Sequence, residues 1–178
     1  MLLKEFLSFR LFLTLRPPNQ FLYFRPISPF KPPEMAHLKS YAYEGRGQTS
    51  LDEYWYTQAI RVGDRIECAG QGGWEPKSGK IHAELNAQID QAFANVDLTI
   101  KTAGGKGWSQ VYRVNSYHVP MNDEAMAAMV RNFKKWMPNH RPIWTCIGVP
   151  RLGDPEMKVE IEVVAHDEEG AKAAKERI

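Results

Sequence analysis

Two carboxylates stand two positions apart in the run Lys158-Val159-Glu160-Ile161-Glu162-Val163-Val164. On a β-strand they would share one face, roughly 7 Å apart. Carboxylates at that spacing can divide acid and base work on one substrate. They also fit a solvated outer face shared with Lys158. Gly70-Gln71-Gly72-Gly73 follows a strand-like run, as phosphate-cradling loops do. It lacks the Lys-Ser/Thr of a P-loop and does not open onto a helix. Its backbone N–H groups could hold a carboxylate, or the segment is a glycine-tolerant turn. Cys146 sits in the apolar run Ile143-Trp144-Thr145-Cys146-Ile147, which suits a buried thiol better than a nucleophile. The five His (37, 82, 118, 140, 166) show no ligand spacing, so no metal site is expected. Tyr54, Trp55 and Tyr56, with Trp74, Trp108 and Trp144, could line an apolar pocket or pack a core. No Ser-His-Asp arrangement is readable.

Several elements must position these groups. Tyr56–Val62 has strand composition, Gly63-Asp64 a two-residue turn, and Arg65–Ala69 returns as the second arm of a hairpin. Leu85, Ile89, Phe93, Val96 and Ile100 fall at helical spacing, and Gly104-Gly105 ends that helix. A strand lies within Trp108–Val119. Asn122 or Asp123 can cap a second helix whose apolar set is Met126, Met129, Val130, Phe133 and Trp136, with Pro138 ending it. Ile143–Val149 reads as a strand, Lys158–Val164 alternates cleanly, and Glu168–Arg177 is a short charged helix. The order ββαβαββ predicts an α+β two-layer sandwich. Its helix-free sheet face needs cover, and an oligomer would supply it.

The chain has 178 residues, about 43% hydrophobic and 25% charged, which excludes disordered, collagen-like and disulfide-stapled classes. A net charge of +2 is too balanced for a chain that lives on phosphate backbones, so no nucleic-acid partner is expected. Cys68 and Cys146 are not at metal-ligand spacing, and a reduced, cytoplasmic setting is the default. Residues 1–35 differ from the rest. They hold six of the twelve Pro and six of the eight Phe, and carry +3 against −1 for the remainder. This N-terminal extension is expected to be disordered or a targeting leader, mitochondrial in its basic, acid-poor character; a start at Met35 is the plainer alternative. Arg10 interrupts the apolar run, so no membrane-spanning helix is expected there. Residues 36–178 form the folded domain.

Whole segments of that domain resemble a known family. Tyr56-Thr57-Gln58-Ala59-Ile60-Arg61-Val62-Gly63-Asp64 and Ala69-Gly70-Gln71 resemble the opening of the Rid family, also called YjgF or endoribonuclease L-PSP-like. So do Asn95-Val96-Asp97, Lys101-Thr102-Ala103-Gly104-Gly105, Arg141-Pro142 and Val159–Ala165, in the right order over about residues 50–166. The resemblance implies a chorismate-mutase-like fold and a homotrimer with small-molecule clefts between subunits. It implies no cofactor.

In family members that hydrolyse reactive imines and enamines, an Arg in a Pro-x-Arg-Ser/Thr motif binds the substrate carboxylate. Here the matching motif is Pro142-Ile143-Trp144-Thr145, so Trp144 stands in the place of that Arg. By the same resemblance Glu160 positions water and is the catalytic residue. Tyr56, the Gly70, Gln71 and Gly72 backbone, Trp144 and Cys146 line the cleft. Charge-assisted hydrogen bonds from an Arg are worth about 1.5–3 kcal/mol each, so losing them costs tenfold to several hundredfold. Arg141 is discounted as a rescue, because an odd offset on a strand points to the opposite face. The expected function is a deaminase-like hydrolase of weak or altered activity. The alternative is a non-catalytic ligand-binding or regulatory trimer. Ribonuclease activity is disfavoured by the −1 body, which has no basic stripe.

Overall fold

The structure, a computed structural model, describes residues 38–175. The N-terminal extension 1–35 lies outside the described residues. Strand β1 (Ser40–Tyr41) and helix α1 (Arg46–Glu53) precede the hairpin β2 (Ala59–Val62) and β3 (Arg65–Gly72). Helix α2 (Leu85–Thr102), strand β4 (Val111–His118), helix α3 (Asp123–Trp136), strand β5 (Ile143–Gly148), strand β6 (Val159–His166) and helix α4 (Glu168–Lys175) follow. The six strands form one sheet in the order β1-β2-β3-β6-β4-β5. All neighbours are antiparallel except β4 and β5. The expected ββαβαββ core is therefore present as an α+β sandwich, with β1, α1 and α4 added to it.

The long helices form where the spacing predicts. Ile89, Phe93, Val96 and Ile100 of α2 are fully buried, and the helix ends at Gly104, which takes a positive φ of 84°. Glu84 caps its start, accepting from the Asn86 and Ala87 N–H groups. Asn122 caps α3 by accepting from the Ala125 N–H. Asp123 and Glu124 in the first turn and Lys134 and Lys135 in the last complement its dipole. The buried face of α3 is rotated from the expected one: Ala125, Ala128, Met129 and Asn132 face inward while Met126 is exposed. The amide nitrogen of buried Asn132 donates to Asp90 and to the Ala128 carbonyl, while its Oδ1 has no partner among the described residues.

Two local expectations change. The first hairpin strand starts at Ala59 rather than Tyr56, and its partner runs on through Gly72. Gly70-Gln71-Gly72 is thus not a break. It carries a β-bulge, in which Ala69 and Gly70 together oppose one residue of β6. In the sheet, β4 lies between β5 and β6.

The core fills the space between the sheet and the two long helices. Phe93 stacks on Trp108 at 4.5 Å and meets Phe133 edge-on at 5.5 Å. The Trp108 Nε1–H donates to the Phe93 carbonyl at 2.8 Å, so ring and backbone fix one another. A second cluster of Trp74, Leu152 and Met157 packs on Tyr117 and Val119 at one end of the other sheet face. No helix among the described residues is long and apolar enough to cross a membrane.

Phe93→Ala removes both ring contacts from a fully buried site. The expected loss is about 3–5 kcal/mol in urea unfolding, and a loss below about 1 kcal/mol would contradict this account of the core.

Candidate functional site

Alternation along β6 sends Val159, Ile161 and Val163 into the core and turns Glu160 and Glu162 to the helix-free face. Tyr117 is the register partner of Glu160, and Asn115 of Glu162, so all four share that face. The two carboxylates differ in their surroundings. Glu162 accepts from the Tyr117 hydroxyl at 3.3 Å and from the Asn115 amide at 3.5 Å. Glu160 has no hydrogen-bond donor among the described residues. It lies against Gly70, where any Cβ would collide with its carboxylate and Cγ. A glycine at the bulge is therefore what gives Glu160 its room.

Glu160, Glu162, Tyr117, Gly70 and Arg151 line one cleft of about 550 Å³. Burial raises the Glu160 pKa, and the Glu162 charge raises it further. Burial raises the Tyr117 phenol too, with Glu162 adding to it. The cleft thus holds one pinned carboxylate, one unpinned carboxyl of elevated pKa, a phenol and one guanidinium.

Trp144 lies on the opposite face. It is the register partner of Val114, which pairs in turn with buried Val163. Its indole N–H donates to Ser116 Oγ at 2.9 Å, and its ring meets Phe133 edge-on at 4.9 Å. Ser116 Oγ also bonds His118 Nε2 at 3.0 Å. Burial pushes the His118 pKa down to about 4, so this imidazole is neutral at physiological pH. One chain therefore does not bring Glu160 and Trp144 together.

Trp144 borders a groove of about 430 Å³ with Phe133, Met137, Lys134 and Arg141. The expectation that strand alternation carries Arg141 away from Trp144 does not hold. Strand β5 begins at Ile143, so Arg141 precedes it and is not bound by its alternation.

The other expected cleft residues separate. Cys146 shares the Trp144 face and places Sγ 3.3 Å from Met121 Sδ. The Gln71 side chain is fully buried and spent internally, donating to Gln58 Oε1 and accepting from the Tyr43 hydroxyl. Gly72 backs onto Trp74 and Met157. Tyr56 is exposed and lines neither the cleft nor the groove. The sequence reading missed Arg151, Tyr117 and Lys134 as lining residues. Tyr117 was within reach, because strand parity alone puts it on the face away from Val114.

A carboxylate titration followed by ¹³C NMR checks the electrostatics. Glu160 should titrate above the ordinary 4.5, and Glu162→Gln should lower its midpoint without returning it fully, since burial is the larger cause. A midpoint at or below 4.5 would overturn the assignment.

A sequence model of the family described as "Endoribonuclease L-PSP" matches residues 50–167. The chain is 28% identical over 113 residues to "2-iminobutanoate/2-iminopropanoate deaminase" of Escherichia coli K12, covering 62% of this chain and 85% of that one. It is 30% identical over 114 residues to "RutC family protein PH0854" of Pyrococcus horikoshii, covering 64% and 87%. Among solved structures, the Escherichia coli YjgF gene product superposes with a TM-score of 0.62 at 26% identity, covering 72% of this chain and 98% of that one. Yeast Mmf1 shares the fold with a TM-score of 0.61 at 19% identity, covering 73% and 98%. With a family model matched over more than half of its length and a shared fold, the chain belongs to the endoribonuclease L-PSP, or Rid/YjgF, family.

Proposed function

We propose that the protein is a Rid-type imine or enamine hydrolase with altered selectivity, acting in clefts between the subunits of a homotrimer. The observation that carries this is Glu160: a half-buried carboxyl of raised pKa, unpinned by any donor among the described residues, facing an open cleft. Such a group holds a water by accepting its proton. Water oxygen adds to the imine carbon while Glu160 takes one water proton and passes it to nitrogen, giving a carbinolamine. Glu160 then takes the hydroxyl proton and delivers it to the amine, so the C–N bond breaks and ammonia leaves as the carbonyl forms. A carboxyl whose pKa is raised toward the working pH suits both halves of that transfer.

Glu160 and Trp144 lie on opposite faces of one sheet, so a cleft that uses both needs two subunits. Ile143 and Ile147 are 60% and 44% exposed, and Trp55 is 90% exposed with a positive φ of 60°. Apolar exposure of this kind favours self-association. A second reading, a ligand-binding trimer without chemistry, is favoured by one observation: the Trp144 ring, at the position the resemblance assigns to the family's substrate-binding Arg, is tied to Ser116 and Phe133.

Two measurements test the proposal. Light scattering should give three chain masses, and a stable monomer at micromolar concentration would refute the assembly. Ammonia release from 2-iminobutanoate, generated in situ, should be at least tenfold below that of an Arg-containing relative. Trp144→Arg should raise it, and Glu160→Gln should lower it about a hundredfold or more. An unchanged rate in Glu160→Gln would overturn the catalytic role.

A further inference from the structure

The groove beside Trp144 has a composition that the small 2-imino acids do not use. Its floor and wall are ring and thioether: Trp144, Phe133 and Met137. Two cations, Lys134 and Arg141, stand at the same groove, and no acidic side chain lines it. Several cations elsewhere are matched to carboxylates, Arg131 to Asp90, Lys101 to Asp97, Arg61 to Asp167 and Lys106 to Glu169. Lys134 and Arg141 make no ion pair among the described residues. The groove therefore offers a flat apolar bed with uncompensated positive charge beside it.

The bed is also held in place. The Trp144 indole cannot turn freely, because its N–H is bound to Ser116 Oγ and its edge is packed on Phe133. A fixed ring face gives stacking area at little entropic cost. His140, at the groove, is fixed by its Nε2–H bond to the Val111 carbonyl at 2.8 Å. At about 430 Å³ the groove accepts one aromatic ring and a carboxylate, whereas a two- or three-carbon side chain would leave most of the apolar surface wet.

We infer that this groove binds the carboxylate of an aromatic 2-imino or 2-oxo acid, with the ring on Trp144 and the charge on Arg141 and Lys134. This names the substrate class of the proposed function and rests on that reading for its catalytic meaning. The loss of the family's Arg is then a change of selectivity: the clamp has moved from the strand to the segment just before it, and the vacated position supplies the ring surface.

The test is calorimetric titration of the full-length protein with phenylpyruvate and, in parallel, pyruvate. Phenylpyruvate should bind at least tenfold tighter. The double variant Lys134→Gln/Arg141→Gln should weaken phenylpyruvate at least tenfold with an unchanged melting temperature. Trp144→Leu should reduce the preference for the aromatic acid, and Trp144→Phe should keep most of it. Equal affinities for the two acids, or a double variant that binds as well as the natural protein, would overturn the inference. Glu160→Gln separates it from the proposed chemistry. Binding that survives in this variant while no ammonia release is found in the natural protein supports the groove and refutes the hydrolase. Ammonia release without any aromatic preference does the reverse.

Discussion

Strand β6 is hydrogen-bonded on both sides, to β3 and to β4, so its side chains can choose only between two faces. Burial makes that choice. Val159, Ile161, Val163 and Ala165 are all essentially inaccessible to solvent. A slip of one residue would bring Glu160 and Glu162 into the core in their place. Burying two unpaired carboxylates costs far more than any ladder irregularity, so the register is held by the acids as firmly as by the aliphatics. Through β4, the same register fixes β5. The face of Glu160 and the opposite face of Trp144 are thus consequences of one constraint, and so is the need for a second subunit if both are to meet one ligand.

Within the cleft, two like residues are made unlike by their neighbours. Glu162 takes both donors that the sheet offers, from Tyr117 and Asn115. Glu160, beside the bulge, is left with desolvation and with the charge of Glu162. Environments that push two carboxyl groups apart assign them different roles. Here Glu162 is held by two donors, and Glu160, with none among the described residues, faces the cleft. Gly70 belongs to the same device. Any larger residue at the bulge would drive into Glu160, so the bulge and the carboxylate occupy one another's space.

Periodicity made much of this visible in advance. The helical spacing of Leu85 to Ile100, the turn at Gly63-Asp64 and the alternation of Val159 to Val163 each depend on neighbours in sequence, and each appears as read. What the sequence hid was non-local. Helix α1 carries no apolar stripe; its Arg46 lies over the rings of Tyr54 and Trp74 at 5.2 and 5.3 Å, a contact that spacing cannot announce. The insertion of β6 between β3 and β4 depends on pairing across the chain. The place of Arg141 was misread because strand parity was carried two residues past the strand. Carried only along β4 and β5, the same parity would have placed Tyr117, and would have separated Trp144 from Glu160.

The support of Trp144 and the chemistry of Glu160 respond to pH in opposite senses. His118, buried beneath Ser116, titrates near 4 in the fold and near 6.5 when unfolded. Between those values the unfolded chain binds the extra proton, so stability falls as the pH drops from about 6.5 toward 4. Glu160 has a raised folded pKa, so its protonated form is the one the fold prefers. Its contribution is present below the ordinary carboxylate range and is lost as the pH rises through its folded pKa. Above about pH 6.5 the His118–Ser116–Trp144 chain is neutral and does not titrate. A dependence of ligand binding on pH in that range would then originate outside the Trp144 seat. Acid, by contrast, loosens the aromatic seat as the pH falls toward 4 and also protonates Glu160, so low pH weakens both halves of a shared cleft.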